Sequence, residues 1–107
     1  MSKIIKKKVS WVASVASDVV AYKMYWSLAA NGAPTYDSES VQVNSSKTQI
    51  IIPDDVPNFP IGIEDNYILG ISAIDDVGNE SDIAVTPSVP FDFDAPDAPS
   101  GISVANA

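Results

Sequence analysis

Two residue types are missing from this 107-residue chain altogether, cysteine and histidine. Without cysteine no disulfide braces the fold, and thiolate metal sites and thiol nucleophiles are excluded. Without histidine, Ser-His and Cys-His pairs, imidazole general bases and zinc-finger sites fall away as well. Catalysis would rest on carboxylates, Lys or Tyr, and no pattern pairs two carboxylates across a cleft as glycoside hydrolysis requires. No enzymatic activity and no cofactor are therefore expected. Basic residues are also scarce, six against fourteen acidic ones for a net charge of -8. Such a surface repels phosphate backbones and anionic membranes, so nucleic acid is not an expected partner. Long apolar runs are lacking too. The opening MSKIIKKKVSWVASVAS resembles a secretory signal only in outline, because Ser10, Trp11 and Ser14 interrupt it and Asp18 ends it. That run is too short for a signal core or a membrane span, and no membrane insertion is expected.

What is present is alternation. With 46% hydrophobic residues the chain suits one globular domain. Helical periodicity is hard to find, whereas β-branched and aromatic residues alternate between clusters of Gly, Pro, Asn, Asp and Ser, the pattern of an all-β sandwich. A first strand over about Lys6 to Val12 places Val9 and Trp11 on one face. The next, Val20 to Leu28, sends Tyr22, Met24 and Trp26 one way and Lys23, Tyr25 and Ser27 the other. Two short strands follow, with Val41 and Val43, then Ile50 and Ile52, facing inward. The three prolines of PDDVPNFP, residues 53 to 60, forbid central strand pairing. Tyr67, Leu69, Ile71 and Ala73 line one face of a long strand, and Ile83 and Val85 begin its hairpin partner. From Pro87 to Gly101 the composition shifts to Pro, Asp and Ser, which reads as an extended linker. The expected organisation is a domain over 1–87, with a linker and a closing strand over 88–107.

In this order the residues resemble a fibronectin type III domain over residues 6 to 87. Trp11 in VSW is similar to the family's core tryptophan on strand B, and Tyr22 and Met24 in AYKMYW to the inward residues of strand C. Tyr67 in NYILGISAIDDVGNES is similar to the strand F tyrosine, with Ile61 where the family usually has a leucine. The resemblance implies a two-sheet antiparallel sandwich, a role in protein interaction, assembly or adhesion, and an extracellular or cell-surface location. The core implied by both readings is Val9, Trp11, Tyr22, Met24, Tyr67, Leu69, Ile71 and Ala73, with Trp11 as its centre. Replacing a buried tryptophan by alanine costs about 3 to 5 kcal/mol. No Arg-Gly-Asp triplet is present, so integrin binding is not implied.

The family begins with a Pro-rich strand A, whereas this chain starts almost at strand B. Its end, APDAPSGISVANA, has the character of such a strand, with prolines ahead and Ile102 and Val104 alternating. The tail is therefore a candidate for strand A. It could begin a following module, fold back on its own domain, or complete a neighbouring copy by strand addition, giving a homo-oligomer or filament. Reach allows all three, since a linker of about 14 residues spans roughly 46 Å. The expected arrangement docks Ile102 and Val104 beside Trp11, in a neighbouring molecule. Lys3, Lys6, Lys7 and Lys8 form a basic edge opposite in sign to the acidic tail. Two smaller features complete the reading. Asp75, Asp76, Asn79 and Glu80 surround Gly78 without the spacing of a calcium loop, so a hairpin turn is expected there. Tyr25 is expected as a half-buried cross-strand aromatic.

Overall fold

The computed structural model describes residues 3–61 and 64–107, and within them seven strands alternate with turns. β1 (Lys7–Ser10) and β4 (Gln49–Ile52) form a two-stranded antiparallel sheet, with Val9 opposite Ile50 and Lys7 opposite Ile52. The second sheet has the order β3-β2-β5-β6, built from β2 (Val19–Leu28), β3 (Glu39–Asn44), β5 (Glu64–Asp75) and β6 (Ala84–Val85). β7 (Val89–Asp92) joins the same sheet on β5. All pairings are antiparallel. The two sheets pack face to face as an all-β sandwich. No helix among the described residues is long and apolar enough to cross a membrane.

Alternation along the central strands fills the space between the sheets. Met24 and Trp26 of β2 and Tyr67 and Leu69 of β5 are buried against Ile50 and Ile52 of β4. Cross-strand register places Met24 opposite Ile71, Trp26 opposite Leu69 and Tyr22 opposite Ala73, so the inward residues of both strands share one face. Val9, Val41, Val43 and Ile71 are half-buried and pack against this cluster. Tyr22 is buried at its margin, and Ala73 is half-buried beside it.

Three expectations require correction. Trp11 is not the centre of the core. It is half-buried at the end of β1, its ring edge-on to Tyr22 at 5.5 Å, while Trp26 is the fully packed indole at 4% exposure. The reason is position, since Trp26 lies on a strand paired on both sides and Trp11 lies just past the end of an edge strand. The second correction concerns PDDVPNFP. It forms consecutive turns, as the prolines demand, yet delivers Val56 and Phe59 into the core at 0% and 4% exposure. The hydrogen bonds Asp55 N–H to Ile51 O, Val56 N–H to Pro53 O and Phe59 N–H to Val56 O wind the segment so that both apolar side chains point inward. Ile61, which stands where the resembled family usually has a leucine, is exposed.

The third correction moves the domain boundary. Residues 89–93 belong to the sandwich rather than to a linker: β7 pairs Val89 with Tyr67 and Phe91 with Asp65, and Phe91 and Phe93 are buried. Pro90 occurs in this strand without harm because among the described residues β7 pairs only with β5 and leaves its other edge free. The linker begins at Asp94. Beyond it the chain extends away from the body, and the radius of gyration of 18.2 Å exceeds the roughly 13 Å of a compact domain of this length. Trp26→Ala is expected to cost about 3 to 5 kcal/mol and Trp11→Ala clearly less. Chemical denaturation of the two variants measures the difference, and equal losses would return Trp11 to the centre.

Candidate interaction surface

Sandwich edges are the places where this fold presents unpaired backbone. In β1 the Trp11 N–H donates to Thr48 O at 3.0 Å, and the register places Val9 and Lys7 in equivalent positions on the same ladder. The N–H and C=O groups of those odd-numbered residues therefore face β4, and those of Lys8 and Ser10 face the other way. β1 pairs with no strand but β4 among the described residues, so this outer row is a template for one more strand. Behind it a shallow apolar cleft of about 50 Å³ opens between the sheets, lined by Val9, Trp11, Met24, Ile71, Ala84 and Thr86. The half-burial of Val9, Trp11 and Ile71 has its cause here, in a core left uncovered along one side. Trp11 Nε1 is buried without a hydrogen-bond partner among the described residues, a further cost at this unfinished edge.

The tail does not fill the cleft of its own domain. Ile102 and Val104 are 96% and 97% exposed and take part in no strand, contrary to an internal fold-back. The lysines stand beside β1 as expected. Lys6 Nζ meets Asp54 at 2.7 Å on an exposed surface, an interaction worth at most about 1 kcal/mol.

The acidic turn resolves into a corner. Asp75 Oδ1 accepts from the Val77 and Asn79 backbone N–H groups at 3.1 and 2.8 Å, and its Oδ2 accepts from Asn79 Nδ2 at 3.1 Å. Gly78 takes φ 93°, the left-handed conformation that a side chain disfavours. Desolvation works to raise the Asp75 carboxyl, but the hydrogen bonds from Asn79, Val77 and Gly78 outweigh it and hold the group below the ordinary carboxylate range. Both carboxylate oxygens are thus committed to closing the turn.

Glu80 does something that sequence reasoning missed. It reaches back over the outer face of the large sheet, where its Oε2 accepts hydrogen bonds from the Tyr25 hydroxyl and from Ser72 Oγ, the latter at 2.6 Å. Tyr25 is at 0% exposure rather than half-buried. Tyr36 covers it edge-on at 6.2 Å and donates its hydroxyl to Ser81 O at 2.8 Å, while Lys23 Nζ sits 5.1 Å from the Tyr25 ring centre. The clasp also explains Gly70, opposite Tyr25 in the ladder: a Cβ there would collide with Ile83 Cγ2 and press on Pro34 Cγ at 3.1 Å. The loops 33–36 and 80–83 therefore close down on the outer face and fix where β6 starts. The available signal was a run of outward residues, Tyr25, Gly70 and Ser72, too small or too aromatic for a solvated face.

Burial, then the hydrogen bond and charge of Glu80, push the Tyr25 hydroxyl up to about 12 from 10.0. Because the folded-state value is the higher one, this contribution to stability is complete below about pH 10 and is lost as pH rises through about 12. Burial, then the charge of Asp65, raises Tyr67 as well. Ultraviolet titration is expected to show a late tyrosine phase that Tyr25→Phe removes, with a flatter fall in Tm over the same pH interval. An unchanged titration in the variant would show that the clasp does not control that phase.

No protein-family model matches the chain, and no curated protein matches its sequence. The architecture of two packed antiparallel sheets is compatible with immunoglobulin-like folds, the fibronectin type III domain among them.

Proposed function

We propose that this chain is a fibronectin type III-like, non-catalytic interaction module that associates with copies of itself by strand addition, in an extracellular or cell-surface setting. The observation that carries the reading is the open edge of β1 over an uncovered apolar cleft, together with a tail whose alternating Ile102 and Val104 are left exposed. Adding a strand there would satisfy the outward N–H and C=O groups of Lys8 and Ser10 and cover Val9, Trp11 and Ile71. Charge supports the choice of partner, because Asp94 and Asp97 precede the tail strand and Lys3, Lys6 and Lys8 precede or flank the edge. Donor and acceptor are different surfaces of one chain, so the contact is heterologous and propagates into a ring or an open filament. The non-catalytic assignment draws on the absence of histidine and cysteine. The second reading is a passive spacer or adhesion module whose projecting tail leads into a following domain.

Truncation separates the two readings. Removing residues 94–107 spares β7 and both buried phenylalanines, so the variant is expected to keep the monomer's own melting transition. Light scattering after size exclusion is expected to show concentration-dependent association of the full chain, lost in the truncation and in Ile102→Asp. A full chain that stays monomeric at every concentration, with a protease-sensitive tail, favours the spacer.

A further inference from the structure

Resting on that reading, we infer that the added strand runs parallel to β1, unlike every strand pair within the domain. The two segments carry their residue classes in the same order along the chain. The receiving arm has Lys3, Lys6 and Lys8 and then the inward Val9 and Trp11, and the tail has Asp94 and Asp97 and then Ile102 and Val104. Laid in the same direction with Ile102 beside Val9 and Val104 beside Trp11, the tail brings Asp97 between Lys3 and Lys6. Lys3 has no ion pair among the described residues and is free to meet it. Laid in the opposite direction, Ile102 and Val104 make the same apolar contacts, but Asp97 and Asp94 run out past Trp11. That end is already acidic: Asp82 lies in the surface depression that Trp11 and Ser14 line, and Asp18 and Asp75 lie in the adjoining one with Ser14.

The apolar term is therefore shared by both directions and cannot choose between them. An antiparallel ladder is only slightly stronger per residue than a parallel one. The lysine end is mixed, since Glu64, Asp65 and Asp92 line a depression with Ile5 and Lys7 and Asp54 holds Lys6, but it also offers Lys3, which has no ion pair among the described residues. The Trp11 end sets Asp82, Asp18 and Asp75 near the tail instead, and exposed pairs worth up to about 1 kcal/mol each tip the balance to the parallel strand. Backbone chemistry permits it. A parallel ladder at this edge takes the N–H groups of Ile102 and Val104 to the Lys8 and Ser10 carbonyls, and the Lys8 and Ser10 N–H groups to the carbonyls of Ser100 and Ile102. Neither Pro96 nor Pro99 is asked for the N–H it lacks. Gly101, at φ 69° in the free tail, must extend, a change open to glycine.

Direction is read by disulfide trapping, since the native chain has no cysteine to interfere. Val12, Lys8 and Ala105 are all exposed, and direction alone decides which of the first two lies beside Ala105. In the parallel strand Ala105 of one copy lies beside Val12 of the next, and in the antiparallel strand it lies beside Lys8. Two mixtures of full-length single-cysteine variants are oxidised, Val12→Cys with Ala105→Cys and Lys8→Cys with Ala105→Cys. The expected result is a covalent heterodimer in the first mixture and its loss in the second. A heterodimer in the second mixture instead, or in neither while light scattering still shows association, overturns the parallel strand and leaves the assembly reading standing. A full chain that never associates removes both.

Discussion

Phe59 is the contact on which the rest of the sandwich depends. Its ring lies 5.3 Å from Trp26, 5.0 Å from Tyr67, 5.1 Å from Phe91 and 6.1 Å from Phe93. These five rings come from β2, the turn segment after β4, β5, and the β7 segment, so a single side chain in a loop ties together every long-range piece of one end of the molecule. Aromatic pairs in tilted or edge geometry contribute about 0.5 to 1.5 kcal/mol each beyond the area they bury. With two strands in the small sheet among the described residues, that cluster does the closing that further strands would otherwise do.

The opposite side of the core lacks such a plug. Val9, Trp11 and Ile71 stay half-buried because the two-stranded sheet ends at β1, and the backbone of Lys8 and Ser10 has no strand to pair with among the described residues. The structure is thus asymmetric in a chemically simple way. One end is sealed by aromatic rings gathered around Phe59 of a turn segment, and one edge is open, apolar behind and basic beside. The clasp of Glu80 on Tyr25 and Ser72 is the counterpart on the outer face, holding the turn after β5 so that β6 begins at a fixed place along the border of the open cleft.

Much of the fold was legible from alternation alone. The inward faces of β2 and β5, with Met24, Trp26, Tyr67 and Leu69, and the pair Ile50 and Ile52 follow from a period of two, which any half-buried strand must show. Phe59, Phe91 and Phe93, the chain's three phenylalanines, were not legible as core. They sit among prolines and aspartates, where local composition speaks for turns and linkers, and only the long-range packing of those segments places the rings inside. The rank of Trp11 against Trp26 failed for a related reason. Both alternate correctly, and burial differs because one strand is central and the other an edge, a property of the sheet order rather than of the residues themselves.

The amino-acid sequence by itself determined the all-β class, the inward set of each long strand, the corner at Gly78 and the exclusion of imidazole and thiol chemistry, because these depend only on residue type and on spacing within one segment. Tertiary structure alone decided which edge stays open, that residues 89–92 complete the large sheet, and that Tyr25 is sealed beneath Glu80. Each of those outcomes depends on segments far apart in the chain meeting in space. Loop closure and sheet order, which no local pattern encodes, settle which of them meet.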